Sequence, residues 1–273
     1  MQSILYRLSL GLAAVLMALW LTARAEAQSR VDLELVLAVD ISLSMDLDEL
    51  RVQRGGYVAA FRDPEVQRVI FAGPERKIAI TYFEWAGRSV QKLIVPWTII
   101  DSPAAALALA DALERAPISR ERMTSISGAM DYAGQLFDQS VYTATRRVLD
   151  ISGDGPNNAG RPVTVARDVL LAKNININGL PLVLKSGGTP FDIKDLDIYY
   201  ADCVIGGPAA FSIPVRSEAE FSPAIRRKLL LEIAFNPPAK IIRAQMTPAP
   251  VPRIDCLIGE KLWRIYMDGR MPN

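Results

Sequence analysis

The stretch from Leu33 to Val39 (LELVLAV), closed by Asp40, constrains the fold more than any other. An almost unbroken apolar run leaves no polar side for water, so it reads as a strand covered on both faces, as in a parallel sheet between helical layers. The rest of the chain fits that frame. A helical pattern runs from about Asp46 to Phe61, with Leu47, Leu50, Val58 and Phe61 as core contacts. Gly55-Gly56 weakens it by about 1 kcal/mol per glycine relative to alanine. Lys77–Trp85 and Val90–Trp97 flank Ala86-Gly87-Arg88-Ser89 and read as a hairpin whose first, β-branched strand is central. Ser102-Pro103 opens an alanine-rich helix that runs to about Arg115. Further helices are expected near Ser125–Asp138, Val163–Lys173, Ile193–Ala201 and Pro223–Ala234. Further strands are expected at Arg146–Ile151, Ile175–Leu184 and Ala210–Val215. Strands alternating with helices of this length predict an α/β fold, a doubly wound and mostly parallel sheet flanked by helices. Asn236-Pro237-Pro238 and Thr247–Pro252 cannot continue a helix. Residues 236–273 are therefore read as an extended, proline-rich C-terminal extension packed on a domain spanning 31–235, with a disordered linker as the competing reading.

The first residues read as a processing signal. Arg7 gives a positive start, Leu8–Leu21 is uncharged and apolar, and Ala25-Glu26-Ala27 has the small-x-small form of a cleavage site. The run is short of the roughly twenty residues a spanning helix wants. Residues 1–27 are thus expected to be a signal peptide, with an uncleaved anchor as the alternative, and the mature chain to be periplasmic or secreted without stable membrane insertion. Lys and Arg number 31 against 30 for Asp and Glu, and loss of Arg7, Arg24 and Glu26 keeps the balance near zero. A neutral chain argues against nucleic acid as a partner, since its recognition needs a basic face.

The chain has no histidine. That excludes Ser-His-Asp and Cys-His catalysis and every His-ligated zinc site. A metal would have to rest on oxygen, which selects hard cations: magnesium, manganese or calcium. The two cysteines, Cys203 and Cys256, face an oxidising destination and are expected to pair. Closing a loop of that length is worth roughly 4 kcal/mol on the chain-entropy account.

Oxygen donors do gather along the chain. Asp40-Ile41-Ser42-Leu43-Ser44 puts a carboxylate and two hydroxyls at the carboxyl end of the buried strand, the edge of an open α/β sheet where ligands bind. Thr124 stands just ahead of a helix, and Asp154-Gly155 follows another strand. Each piece alone reads more simply as a helix cap or a turn. Together they resemble the metal-ion-dependent adhesion site of von Willebrand factor A domains, with all five ligand types in order. A narrower similarity is to an exported bacterial group of such proteins, DUF1194. It rests on Tyr82-Phe83-Glu84-Trp85, Thr124-Ser125-Ile126-Ser127, Asp154-Gly155-x-Asn157-Asn158 and Cys203-Val204-Ile205-Gly206-Gly207-Pro208.

The resemblance implies that Asp40, Ser42, Ser44, Thr124 and Asp154 hold Mg2+, with Mn2+ or Ca2+ possible. It further implies that the ion coordinates an Asp or Glu carboxylate presented by a partner protein, and that the domain is not an enzyme. Two other readings compete. A magnesium-dependent phosphotransfer hydrolase with Asp40 as nucleophile needs a carboxylic acid two residues on, where this chain has Ser42, and a hydroxyl of ordinary acidity cannot replace it. A metal-free scaffold of the same fold would use none of the five. Glu84 is left without a role. Asn157 and Asn158 are read as turn residues, with support of the site as the alternative. Asp192, Asp195 and Asp197 read as a solvated helix face, and Trp263 and Tyr266 as packing residues.

Overall fold

The computed structural model describes residues 29–184, 191–208, 210–234 and 253–269. The leader at 1–27 and the proline-rich stretch at 236–252 lie outside them. A short strand β1 (Ser29–Val31) precedes the fully buried β2 (Glu34–Asp40). Helices α1 (Leu47–Arg62) and α2 (Pro64–Ile70) follow, then β3 (Ile78–Trp85), β4 (Gln91–Ile100) and α3 (Pro103–Arg115). The second half adds α4 (Ile126–Asp138), β5 (Tyr142–Ala144), β6 (Arg147–Gly153), α5 (Val163–Ala172), β7 (Ile175–Pro181) and the single turn α6 (Leu196–Tyr199). Helix α7 (Phe221–Ala234) follows, and α8 (Ile258–Met267) comes last among the described residues.

The main sheet has the order β4-β3-β2-β6-β7, with β2, β3, β6 and β7 parallel and β4 antiparallel; β1 and β5 pair separately. Alternation along β2 separates two apolar layers. Leu35, Leu37 and Val39 face a core shared with α1, α3 and α7, while Val36 and Ala38 face one shared with α4 and α5. From β2 the chain moves outward to β3 and β4, then returns to the other side of β2 as β6 and β7. The strand order therefore reverses at the β2–β6 boundary, and the carboxyl ends of those two strands are the place where open α/β sheets carry their ligands.

Local chemistry explains why α1 survives its two glycines. The Asp46 side chain accepts from the Asp48 and Glu49 amides, both at 2.9 Å, and the Glu49 carboxylate returns to the Asp46 amide at 2.8 Å, a reciprocal capping box. Leu50, Val58 and Phe61 are buried as expected, whereas Leu47 is 44% exposed on the first turn. Two further expectations change. Residues 210–215 run beside β7 through single bridges at Ser212 and Val215 rather than as a strand, because Pro214 has no amide to continue a ladder. Residues 258–267, read as extended, are helical. The Asp255 carboxylate accepts from the Leu257 amide at the start of that helix. The expected pairing of the cysteines is present: Cys203 and Cys256 form a disulfide with Cα atoms 5.5 Å apart. It holds Ile254, Cys256 and Ile258 against the α4–α5 core.

One core is not apolar. Lys228 of α7 is 1% exposed and lies 2.6 Å from the Asp150 carboxylate of β6, with Glu232 one helical turn on also bound to its ammonium. Asn178 of β7 donates to Glu232 Oε1 at 2.9 Å, and the Phe211 ring lies 5.5 Å from the ammonium. Burial, followed by the charge of Asp150, pushes the Glu232 carboxyl up to about 7. The folded chain therefore keeps this proton at pH values where the unfolded chain has released it. The sign follows: stability from this residue falls as pH rises from about 4.5 through about 7. Glu232→Gln is expected to flatten that part of the profile relative to wild type, measured as urea midpoints across the interval; parallel profiles would show that Glu232 does not titrate there.

Candidate metal centre

Asp40 ends β2 and Asp154 follows directly on β6, so adjacent parallel strands bring two carboxylates to that edge of the sheet. Asp40 is fully buried. Its Oδ1 accepts the Ser42 amide at 2.7 Å, an Asx-type turn that folds the loop back on itself. The Ser42 and Ser44 hydroxyls then lie 2.9 Å apart. Ser44 donates to Asp154 Oδ1 at 2.7 Å and Ser42 reaches the same oxygen at 3.4 Å. Four of the five expected residues thus form one hydrogen-bonded cluster.

Thr124 joins from a separate loop. The Glu121 amide donates to Ile41 O at 2.9 Å, and the Arg120 guanidinium donates to Leu43 O, so the 119–124 segment is fastened to the serine loop. Asn158 grips Thr124 from the other side: its side chain accepts the Thr124 amide at 2.8 Å and its own amide donates to Thr124 O at 2.8 Å. A methyl group placed on Gly155 would stand 3.8 Å from Thr124 Oγ1, so the hydroxyl borders the Asp154 loop. Met123, just before Thr124, has φ 72°, a left-handed conformation that non-glycine residues adopt at a cost.

Two carboxylates, Asp40 and Asp154, approach each other at this strand edge. Burial, then the nearby charge of Asp154, raises the Asp40 carboxyl well above the usual carboxylate range. Asp40 Oδ2 is buried and has no hydrogen-bond partner within the protein. Gly153 lets this happen: a side chain there would strike both Asp40 Oδ2 and the Tyr200 hydroxyl at 2.8 Å. A buried carboxylate beside a second one is costly unless a cation or a proton satisfies it. The donor set fits a hard divalent ion through its mixture of carboxylates and hydroxyls. Among the described residues, no group of three or more His, Cys, Asp or Glu gathers, here or elsewhere, so an ion at this place would depend on hydroxyl oxygens beside the two carboxylates.

Other residues fall into place around this cluster. Glu84 is no part of it: it forms a buried ion pair with Arg54, whose guanidinium also reaches the Ala116 and Pro117 carbonyls. Asn157 and Asn158, read as turn residues, are hydrogen-bonding supports for the Thr124–Ser127 segment. Asp197 pairs with Arg216, and Trp263 and Tyr266 stack with Phe191 rather than with the main core. Sequence reading missed Tyr199 and Tyr200. They lie where α6 widens into a π-helical turn, with the Ile205 amide bonding back to Tyr200 O, and both rings are buried beside the site. Such widened turns often mark functional sites, but the residues Tyr-Tyr carry no signal of one.

The family model described as "Protein of unknown function (DUF1194)" matches residues 30–237. The chain belongs to the DUF1194 family. No curated relative matches it. Among solved structures, DUF1194 architecture is similar to that of proximal thread matrix protein 1 from the mussel byssus, with a TM-score of 0.53 and 15% identity over 76% of this chain and 46% of that one. That protein has also been solved with a zinc-occupied MIDAS motif, at TM-score 0.53 and 15% identity, covering 74% of this chain and 46% of that one. The pilus adhesin SpaC from Lactobacillus rhamnosus GG gives 0.56 and 10% over 74% of this chain and 31% of that one. A von Willebrand factor type A protein from Catenulispora acidiphila gives 0.51 and 15% over 74% of this chain and 43% of that one. This DUF1194 chain thus spans less than half the length of these structures. The likeness establishes the von Willebrand factor A fold. No helix among the described residues is long and apolar enough to cross a membrane.

Proposed function

We propose that this DUF1194 protein is an exported, non-enzymatic protein-binding module that captures an acidic residue of its partner through a divalent ion held at Asp40, Ser42, Ser44, Thr124 and Asp154. The observation that carries the reading is the hydrogen-bonded cluster of Asp40, Ser42, Ser44 and Asp154, with one buried aspartate oxygen lacking a donor and Thr124 fastened at its border. Magnesium suits so small a donor set, because it keeps part of its hydration and needs only one or two carboxylates from the protein. Manganese or calcium could take its place. When bound, the ion supplies an electrophilic centre that an incoming Asp or Glu carboxylate can complete. Asp40 and Asp154 supply the charge, the two serines and Thr124 supply neutral oxygen, and Asn158 keeps Thr124 in position.

Two features weigh against a phosphotransfer enzyme. Position 42, where an acid or base would be needed, is Ser42, and its hydroxyl is engaged with Ser44 and Asp154. The mussel and Lactobacillus proteins, a thread matrix protein and a pilus adhesin by title, are consistent with a binding role. We further propose that residues 1–27 are removed on export, that the mature protein acts in the periplasm or outside the cell, and that 31–235 forms the domain carrying the 236–273 extension.

The test is affinity capture by the mature chain in magnesium and in chelator, followed by identification of the bound protein and substitution of its acidic residues by alanine. Capture is expected only with the ion, and only with the acidic residue intact. Capture that is equal in chelator would select the metal-free scaffold, and turnover of a generic phosphoester would select the hydrolase.

A further inference from the structure

Helix α8 meets the loop after Asp154 at Asn157, through Gly259 and Glu260. Asn157, 0% exposed, has every polar group of its amide engaged. Its backbone amide donates to the Tyr199 hydroxyl at 3.1 Å, and its Oδ1 accepts the Ser127 amide at 2.9 Å. Its Nδ2 donates to Arg161 O at 3.2 Å and to Glu260 Oε1 of α8 at 2.7 Å. The next residue, Asn158, holds Thr124, and the Ser125 hydroxyl donates to Ala159 O at 2.8 Å. Loop 154–159 and segment 124–128 are therefore one hydrogen-bonded unit, and Glu260 is its contact with the C-terminal helix. That helix sits as close as two backbones allow. A side chain at Gly259 would lie 2.1 Å from Asn157 O, so only glycine permits the approach. The Cys203–Cys256 disulfide, two residues before α8, fixes the helix to the π-helical turn that carries Tyr200.

We propose that α8 is a disulfide-held latch on the metal centre: Glu260 is a positioning residue that, through Asn157, keeps Thr124 and the Asp154 loop in register, so that ion affinity depends on the disulfide. This inference rests on the ion-binding reading above. The physical reason is that a side-chain amide such as that of Asn157 can rotate, and each of its bonds fixes the others. Without Glu260 the buried Nδ2 keeps only the longer bond to Arg161 O, and the loop loses the contact that sets its height over Thr124. Partners that only orient metal ligands commonly control about 10–100-fold in affinity. The consequence is a module whose grip on an acidic partner is conditional on an oxidising surrounding, because reducing the bridge frees α8 to leave Asn157.

The experiment uses the full mature chain and manganese as the probe, with affinity from calorimetry and amide hydrogen exchange read at Thr124 and Ser127. Glu260→Ala, and the double change Cys203→Ala with Cys256→Ala, are each expected to weaken manganese at least about tenfold and to speed exchange at both amides. Glu260→Gln keeps an oxygen that can accept from Asn157 and is expected to restore both readouts. Val66→Ala, which destabilises the core under α2 far from the site, should lower the unfolding midpoint yet leave manganese affinity unchanged, separating the latch from general loss of stability. Manganese affinity and exchange unchanged in Glu260→Ala and in the disulfide-free chain would overturn the latch. A wild-type chain that takes up no manganese would refute the ion site itself. In that case the exchange readout alone decides whether α8 clamps the two loops.

Discussion

Asp154→Ala is expected to abolish ion binding while leaving the fold intact. Asp154 is half-buried on a loop, and its oxygen organises the Ser42 and Ser44 hydroxyls. Its removal leaves one carboxylate and three hydroxyls to offset the dehydration of a divalent ion, which is too little for magnesium. The loss should exceed the roughly 10–100-fold that follows removal of a group that merely orients a ligand. The effect on metal-free stability has the opposite sign. Burial first, and then the charge of Asp154, pushes the Asp40 carboxyl up, so deleting Asp154 relieves the repulsive part, and the unfolding midpoint in chelator should hold or rise. Calorimetry with magnesium and manganese, and thermal unfolding in chelator, check both halves. Asp192→Ala is the control and should change neither. Retained ion binding in Asp154→Ala would remove this residue from the ligand set, and a collapse of metal-free stability would make it a structural residue.

Lys228→Met should cost about 3–5 kcal/mol of stability, because it leaves Asp150 and Glu232 buried against each other without their cation. For a domain of this size that corresponds to a drop of roughly 6–20 °C in the unfolding midpoint. Most of the cost is the stranded charge rather than lost attraction, so adding Glu232→Gln to Lys228→Met should recover part of it. Arg62→Met provides the contrast. Arg62 pairs with Asp111 and Glu114 on the surface, where solvent screening leaves ion pairs contributing little. Urea midpoints of the three variants decide the matter. A Lys228→Met protein as stable as Arg62→Met would mean that the buried cluster is solvated or neutral in the folded chain.

Much of the architecture could be read directly from residue order. The unbroken apolar run before Asp40, the alternation of strands with helices, Ser102-Pro103 at a helix start and the helix expected from about Ser125 to Asp138 are local statements, each enforced by period, capping or φ, and the structure has them within a residue or so of where the sequence places them. The same holds for the serine loop, since Asp-x-Ser-x-Ser needs only its own short turn to bring its oxygens together. The pairing of Cys203 with Cys256 followed from there being two cysteines and an expected oxidising destination.

What the chain order could not decide were the contacts between segments far apart in sequence. That Lys228 is buried between Asp150 and Glu232 depends on α7 lying across β6, and a lysine on a helix otherwise reads as solvated. Glu84, left without a role by its sequence context, is taken up by Arg54, thirty residues earlier. The helix at 258–267 was hidden behind prolines, and its closeness to Asn157 is a distance between residues about a hundred positions apart. Local chemistry determines an element because its causes lie within a few residues. The support of a site is set by which buried polar groups are left facing one another once the layers close, and only the tertiary structure decides that.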